Sequence, residues 1–521
     1  MSSTSLAAGT PAGVPQATKQ LTGGMLWLTA VLLAVANFLA VLDTSIANVS
    51  VANIVGGLGA SNSEGTWVIT SYAVAEAICV PLTGWLARRF GEVRVFVAGM
   101  IGFGLLSFLC GIAPSLGALV LFRIGQGFAG GPIMPISQTL LLRLFPKEKH
   151  GMATGIWAMT TVVAPIFGPI LGGTISDNWG WNWIFFINVP IAVLCSIAAV
   201  ILLRKVESIT EKLPIDFIGL ALLVAAVGAL QIMLDLGRER DWFGNPFIVT
   251  LAIVSAVAFA FLLAWELFDR HPIVDLKVFR HRGFTFSVLA LMFTYGAFFA
   301  SLVIIPQWLQ TSLGYTATWA GWATATNGMS ALLMAPVAAY LSQKVDPRIL
   351  VSGGIVWLAV TSLTRVFWWT SGSDFWTLAL PQLIQGAGMP FFFIPVTTLA
   401  LGSVDDDEMA SAAGLMNFLR TMSGAIATAI GVTMWENGAQ TARDSLTGTL
   451  NNTQGSMQVL QSHGFGVEQS RMFVSQLVDS QANAITIVNL FALFAAILLG
   501  AAAIIWLAPK PRHAVDPGAA H

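Results

Sequence analysis

Fourteen stretches of this 521-residue chain are apolar over about 20 residues each, the length a helix needs to cross a bilayer. They begin near Leu26, Thr66, Val93, Leu116, Gly151, Trp183, Ile215, Pro246, Gly283, Thr316, Ile349, Phe375, Met409 and Ala484. Backbone polar groups inside lipid must be satisfied within the segment, so each stretch reads as a helix. The expected fold class is an all-α membrane protein with 14 spans. Only 10% of the residues are charged, against roughly 25% in soluble domains, so most of the surface faces membrane lipid. The net charge of −1 gives no broad attraction for nucleic acid. Cys79, Cys110 and Cys195 all fall in apolar stretches, which supplies neither a disulfide framework nor a zinc spacing. No cleavable signal is evident ahead of the first span, where Lys19 is the only basic residue.

The basic residues orient the spans. With the N-terminus inside, eighteen of the 25 Lys and Arg fall in cytoplasmic segments, among them Arg88, Arg89, Arg143, Lys147, Lys205, Arg270, Lys344, Lys510 and Arg512. Four fall in outer loops, and Arg123, Arg365 and Arg420 lie within spans. The positive-inside rule demands this asymmetry, and it puts both termini in the cytoplasm.

Two segments repeat. Pro81-Leu-Thr-Gly84 through Arg89 returns as Pro336-Val-Ala-Ala339 through Lys344, and Gln126-Gly127 returns as Gln385-Gly386. Their offsets of 255 and 259 residues are nearly equal and indicate duplicated halves. Six spans per half leave the pair from about Ile215 to Leu267 as an inserted hairpin. The expected organisation is a tail (1–24), a six-helix bundle (25–204), the hairpin with its linkers (205–270), a second bundle (271–508) and a tail (509–521). Parallel halves of this kind are a transporter design, with the substrate site at their interface.

Ionisable residues inside spans are costly and are functional candidates by default. Asp43 lies in the last third of the first span, Glu76 near the middle of the second, and Arg123 in the outer half of the fourth. The first span runs outward and the fourth inward, so Asp43 and Arg123 reach similar depth. Two readings stay open for them, a permanent salt bridge and a proton site that Arg123 adjusts. The repeat places Gln382 where the first half has Arg123, and no Asp or Glu lies mid-span in the second half. Ion coupling is therefore expected in the first half. Arg420 and Arg365 are the second half's buried charges; Arg365, nearer the outer surface, reads as snorkelling or as a helix-to-helix hydrogen bond.

The fifth stretch contains Ala164-Pro165-Ile-Phe-Gly168-Pro169-Ile-Leu-Gly172-Gly173. Interior proline costs a soluble helix roughly 3 kcal/mol, whereas in membranes neighbouring helices or a cavity can satisfy the freed backbone. Glycines there let helices approach closely. A kinked, glycine-lined helix suits a molecule that rocks about a central pathway. His150, His271, His281, His463, His513 and His521 all lie in loops or the tail, so no span offers imidazole to a haem, and no hydrolytic motif is placed for catalysis. An enzyme is not expected. Trp27, Trp183, Trp242 and Trp506 sit near span ends as an aromatic belt. Trp157 and Trp322 read as deeper; each is either core packing or a flat face for a lipophilic guest.

Several motifs occur in order on successive spans: Leu42-Asp43-Thr44-Ser45-Ile46-Ala47-Asn48-Val49, Leu119-Val-Leu-Phe-Arg123-Ile-Gly-Gln126-Gly127, Gly168-Pro169-Ile-Leu-Gly172-Gly173, Trp183-Ile-Phe-Phe-Ile-Asn188-Val-Pro190 and Asn417-Phe-Leu-Arg420. Over essentially its whole length the chain resembles the fourteen-span drug:proton antiporters of the major facilitator superfamily. The resemblance implies two six-helix bundles plus two inserted helices, with Asp43 as proton carrier and Arg123 as its tuning partner; Glu76 remains a coupling candidate from its place within a span. The segment with Pro165, Gly168, Pro169, Gly172 and Gly173 becomes the antiporter hinge. Asn48, Gln126, Trp157, Trp322 and Arg420 are the candidate substrate cavity. The loop motif Gly84-Trp-Leu-Ala-Arg88-Arg89-Phe-Gly91 departs from the family, with Arg88 where aspartate is usual, and Ser45 and Ala52 replace a usual threonine and proline.

By the same resemblance the energy source is the proton gradient, with no cofactor and no metal, and the location is a bacterial inner membrane. The expected function is efflux of lipophilic drugs or other toxic amphiphiles. Export of a particular metabolite, fatty acid or siderophore is the alternative, and nutrient symport a lesser one. The segment from about Glu436 to Asn483 reads as a long outer loop, with Val467–Val478 spaced for a short amphipathic helix. It is either a solvated cap or, as the resemblance implies, a docking surface for a periplasmic membrane-fusion adaptor leading to an outer-membrane channel.

Overall fold

The computed structural model describes residues 23–60, 62–146, 149–204, 206–208, 210–212, 214–269, 272–449 and 453–510. Most of both expected tails, Lys19, Lys147, Lys205, Arg270, His271 and Arg512, and the side chains of Pro165 and Pro169, lie outside the described set. The described residues contain helices and no strand. Helices α1 (Gly24–Leu58), α2 (Asn62–Cys79), α3 (Thr83–Phe90), α4 (Glu92–Gly111), α5 (Leu116–Gly130) and α6 (Ile133–Leu144) come first. Then follow α7 (His150–Trp179), α8 (Trp183–Phe186) and α9 (Asn188–Leu203), and next the hairpin α10 (Phe217–Gly237) and α11 (Pro246–Phe268). The remainder is α12 (Arg282–Ser312), α13 (Ala317–Leu341), α14 (Pro347–Trp368), α15 (Phe375–Leu401), α16 (Met409–Thr449), α17 (Thr453–Ser462) and α18 (Val467–Ile504).

Among the described residues 11 helical segments are long and apolar enough to cross a membrane, or 12 when α2 and α3, bent by 59°, are one span. The long helices α7 and α13 stand outside that count. Both carry Gly, Thr and Trp among their apolar residues and pack against each other at the junction of the halves. The bend between α2 and α3 falls at Pro81, whose missing N–H cannot continue the ladder. Helix starts follow capping chemistry. Asp216 accepts from the Ile218 and Gly219 amides at α10, and Asn245 and Asp346 each precede a proline at the first helical position of α11 and α14.

Within the first bundle α1 lies along α7 with almost no gap. A Cβ on Gly168 would sit 2.1 Å from Ser45 Oγ, and one on Gly172 would sit 3.0 Å from the Ile46 carbonyl oxygen. The Ser176 hydroxyl donates to Ser50 Oγ at 2.7 Å across the same seam. Gly173, by contrast, faces open space. The duplication recurs in packing. Gly127 of α5 seats against the Tyr72 carbonyl of α2, and its repeat partner Gly386 of α15 seats against the Asn327 carbonyl of α13.

The halves meet at the end of the molecule that holds the first and last described residues. At this end Trp27 packs edge-on against Phe145 within the first half, and Arg348 donates to the Ala508 carbonyl within the second. A Cβ on Gly84 of α3 would fall 2.2 Å from Ser411 Oγ of α16, and one on Gly151 of α7 would fall 2.3 Å from Ser342 Oγ. Asn417 Nδ2 donates to Gln138 Oε1 at 2.8 Å between α16 and α6.

The hairpin helices pack on each other, with the Ser255 hydroxyl donating to the Ala226 carbonyl at 2.9 Å. They dock through α10 on α2, where Gly228 meets Val74 and Ile78. The expected loop from Glu436 to Asn483 is in large part helix. α16 runs on to Thr449, and Val467 opens α18, so the residues expected as a separate short helix are the first turns of the last span. Arg443 pairs with Asp479 at 3.0 Å and donates to Ser475 at 3.1 Å, so these two ends of α16 and α18 are tied to each other.

Bulk at Gly168 must part α1 from α7. Gly168→Leu is expected to cost roughly 1–3 kcal/mol, while Gly173→Leu, with free space, leaves stability near that of the parent. Thermal melting of the two purified variants checks the contrast.

Candidate functional site

Asp43 is buried, and the side chains that bond its carboxylate come from α5 and α9. Arg123 Nη1, from α5, donates to Oδ2 at 2.6 Å. Oδ1 receives Gln126 Nε2 at 3.2 Å and Asn188 Nδ2, from the start of α9, at 2.6 Å. Arg123 has a side-chain exposure of 0%. Its Nε donates to the Val68 carbonyl of α2 at 3.1 Å, Nη1 also reaches Gln126 Oε1 at 2.9 Å, and its Cζ lies 4.1 Å from the centre of the Tyr72 ring. Asn188 is held in turn by Ser107 Oγ at 3.1 Å, whose hydroxyl donates to the Phe185 carbonyl. A buried ion pair is costly unless further hydrogen bonds support it; here α2, α4, α5 and α9 supply them, while Arg123 Nη2 and Asn188 Oδ1 stay buried without a hydrogen-bond partner. The arrangement can hold Asp43 as an anion, and a proton on Oδ2 would remove the charge that anchors Arg123.

The two candidates read from depth alone, Asp43 and Arg123, are in direct contact. Gln126, expected in a substrate cavity, instead belongs to this cluster. Asn188 was legible only as part of a motif, and Ser107 and Tyr72 gave no signal. Their roles come from which way α4, α9 and α2 are rotated.

The half-buried Glu76 side chain lies within the electrostatic reach of Arg123, Asp43 and Arg420. Arg420 sits among aromatic rings, with Cζ 5.2 Å from the ring centre of Tyr295 and 5.6 Å from those of Trp157 and Phe393. Its Nη2 touches the Met134 sulfur, while Nε and Nη1 are buried without an acceptor. Trp157 is fully buried, stacks on Phe393 and donates to Ser137 Oγ at 3.0 Å. Beside it a cavity of about 20 Å³ lies between α7, α13 and α15, lined by Gly155, Met159, Met389 and Phe393. That volume admits no drug-sized molecule, so a guest requires the halves to part.

Trp322 is 53% exposed and lies outside the packed core, and Asn48 is likewise exposed. Arg365 is fully buried and donates to Gln382 Oε1 at 3.0 Å and to Gln385, so it forms the helix-to-helix bond and does not snorkel. In the loop motif Gly91 adopts φ 94°, which favours glycine, and Glu207 caps the first amides of α4 at 3.0 and 3.1 Å. Arg89 lies over Trp85, and Glu92 pairs with Arg143. The buried Arg88 Nε has no acceptor, so the tie at this corner is made without it. Among the described residues one group has metal-ligand spacing, His281, Asp405 and Glu408, and Arg280 already neutralises both carboxylates at 3.0 Å.

The sequence description of the Major Facilitator Superfamily matches residues 33–428. The chain is 43% identical over 507 residues to "Multidrug export protein EmrB" of Escherichia coli (strain K12), covering 96% of this chain and 99% of that one. It is 40% identical over 504 residues to "Fatty acid resistance protein FarB" of Neisseria gonorrhoeae, covering 94% and 97%. Among solved structures it is similar in fold to the proton:xylose symporter XylE, with a TM-score of 0.57 at 14% identity, covering 93% of this chain and 96% of that one.

Removing one partner of the buried pair leaves the other uncompensated, so Arg123→Ala is expected to cost roughly 3–5 kcal/mol. The double variant Asp43→Asn with Arg123→Ala recovers much of that loss. A double-mutant cycle on thermal or denaturant unfolding measures the difference.

Proposed function

The chain belongs to the major facilitator superfamily, is a membrane transporter and not an enzyme, and we propose that it expels lipophilic drugs and other toxic amphiphiles in exchange for protons. The observation that carries this reading is the buried Asp43 carboxylate, held by Arg123, Gln126 and Asn188 on three contact points. A proton reaching Asp43 neutralises it and releases Arg123 to its other partners, the Val68 carbonyl and the Tyr72 ring. α1 then shifts, and because Gly168 and Gly172 lock α1 to α7, α7 moves with it. α7 packs on α13 and α15 of the second half, so the movement reaches the interface where the guest sits. The contacts at the termini-bearing end, Gly84 on Ser411 and Gly151 on Ser342, support a conformation closed towards the cytoplasm. In this reading there are fourteen spans, counting α7 and α13, in an inner membrane with both termini cytoplasmic.

Arg420 favours one class of guest. A buried guanidinium with two nitrogens unpaired, surrounded by Trp157, Tyr295 and Phe393, suits an amphiphile with an anionic head and an apolar body. Glu76 is the acid in electrostatic reach of that cation and serves as its counter-charge when no guest is bound. The similarity to a protein named for fatty acid resistance supports the same class. The paired ends of α16 and α18 with α17 carry exposed apolar residues, Phe465, Val467, Met472 and Phe473 among them. They form the docking surface for a periplasmic adaptor that leads on to an outer-membrane channel.

Asp43→Asn in proteoliposomes is expected to abolish uphill efflux driven by a proton gradient while the protein still folds. Full uphill efflux by that variant overturns the proposal. Arg420→Ala removes a charge-assisted bond worth about 1.5–3 kcal/mol, so transport of acidic amphiphiles should fall roughly 10- to 100-fold relative to neutral ones. Trimming residues 450–466 should spare transport in proteoliposomes yet end adaptor co-purification and resistance in cells.

A further inference from the structure

The inserted hairpin contains a buried acid that neither half accounts for. Asp235 lies two residues from the end of α10, on the face that docks on α2. Gln231, one turn earlier and itself 5% exposed, donates from Nε2 to Asp235 Oδ1 at 3.1 Å. Thr70 of α2 lies beside the same carboxylate. No ion pair to Asp235 is present among the described residues. The charged groups on the elements packed against this end of α10 are Glu64 and Glu76 on α2, Arg420 and Glu436 on α16, and Arg238, Glu239, Arg240 and Asp241 beyond α10. Of these Arg238 is engaged with Glu436 at 3.5 Å. An acid inside a span without a cation is costly and needs a reason.

The surroundings point to what it holds. Asp235 Oδ2 and Gln231 Oε1 are both buried acceptors without a donor, and Trp242 Nε1 is a buried donor without an acceptor. Trp242 closes this end, with its ring folded on Gly237 (a Cβ there would lie 2.5 Å from the ring). The turn that brings it back has two successive non-glycine residues in the left-handed region, Asp241 at φ 57° and Trp242 at φ 44°. Such backbone strain costs of the order of 1–3 kcal/mol per residue and persists at functional clamps. One proton on Oδ2 removes the unpaired charge and turns an oxygen without a donor into an O–H donor.

We propose that Asp235 is a second proton-binding carboxylate, contributed by the inserted hairpin, loaded from the end opposite the termini and coupled to the Asp43 cluster through α2. α2 is the shared element. Thr70 borders Asp235, while two residues away on either side the Val68 carbonyl receives Arg123 and the Tyr72 ring lies over its guanidinium. The proton comes from water at that end, Oδ2 takes it, and the carboxylate becomes a neutral acid that fits the apolar α2–α10 contact. A shift of α2 then moves two of the partners that hold Arg123. The inference rests on the proton-coupled reading of the protein and assigns the hairpin a part in it.

The test uses the full chain, purified and reconstituted. Asp235→Asn keeps the shape and the carbonyl that Gln231 bonds, but takes no proton. It is expected to bind one proton fewer per protein on acidification and to lose the dependence of efflux rate on pH at the outer face. Asp235→Glu restores both, and it remains informative if the Asn variant does not fold. An unchanged proton count and outer-pH profile in a well-folded Asp235→Asn, or failure of the Glu variant to titrate, overturns the inference. If the parent itself moves no protons with its substrate, the coupling reading fails; if it does and Asp235→Asn behaves identically, only the role of Asp235 fails.

Discussion

A carboxylate and a guanidinium removed from water organise this protein. Neither Asp43 nor Arg123 can stay charged in an apolar bundle unless its partner and further hydrogen bonds from neighbouring helices are in place. That condition fixes helix positions as much as it fixes side chains. Arg123 needs the Val68 carbonyl, so α5 must lie on α2, and Gly127 supplies the room for it. Asp43 needs Asn188, so the chain breaks between α8 and α9 at the depth where the amide can reach. A group that satisfies five helices at once is also sensitive to a single proton, because neutralising one oxygen withdraws the reason for several contacts.

Small residues carry that sensitivity outward. Dispersion and close approach, not hydrophobic collapse, hold helices together in lipid, so glycine positions decide which pairs behave as one body. Gly168 and Gly172 weld α1 to α7, and Gly84 and Gly151 let the halves touch at one end. The first set joins the charge cluster to the moving helix; the second is a reversible contact between the halves. The duplicated frame makes this economical, since Gly127 and Gly386 do the same work in each half.

The halves nevertheless differ where it matters chemically. The second half replaces Arg123 by Gln382 and draws its cation from the neighbouring helix, where Arg365 bonds Gln382 and Gln385. Among the described residues no carboxylate pairs with that cation. Arg420 is a third case, placed at the seam between the halves, where it touches Met134 and lies among the rings of Trp157, Tyr295 and Phe393. Three buried arginines thus have three environments, and the environment of each sets its role.

The sequence by itself determined the all-helical membrane architecture, the duplication, the orientation-bearing charges and the depth match between Asp43 and Arg123. Hydrophobic length, repeat offset and charge count are properties of the chain read in one dimension, so no packing is needed to see them. Tertiary structure alone decided that Asn188 and Ser107 join the cluster, that Gln126 is buried within it, and that Trp322 lies outside the packed core. It also turned the expected outer loop into extensions of α16 and α18, where the Arg443–Asp479 pair supports helix that polar composition alone did not predict. Which side of a helix meets which neighbour depends on its rotation about its own axis. In a span that is apolar nearly all round, periodicity does not specify that rotation; only the partners across the interface do.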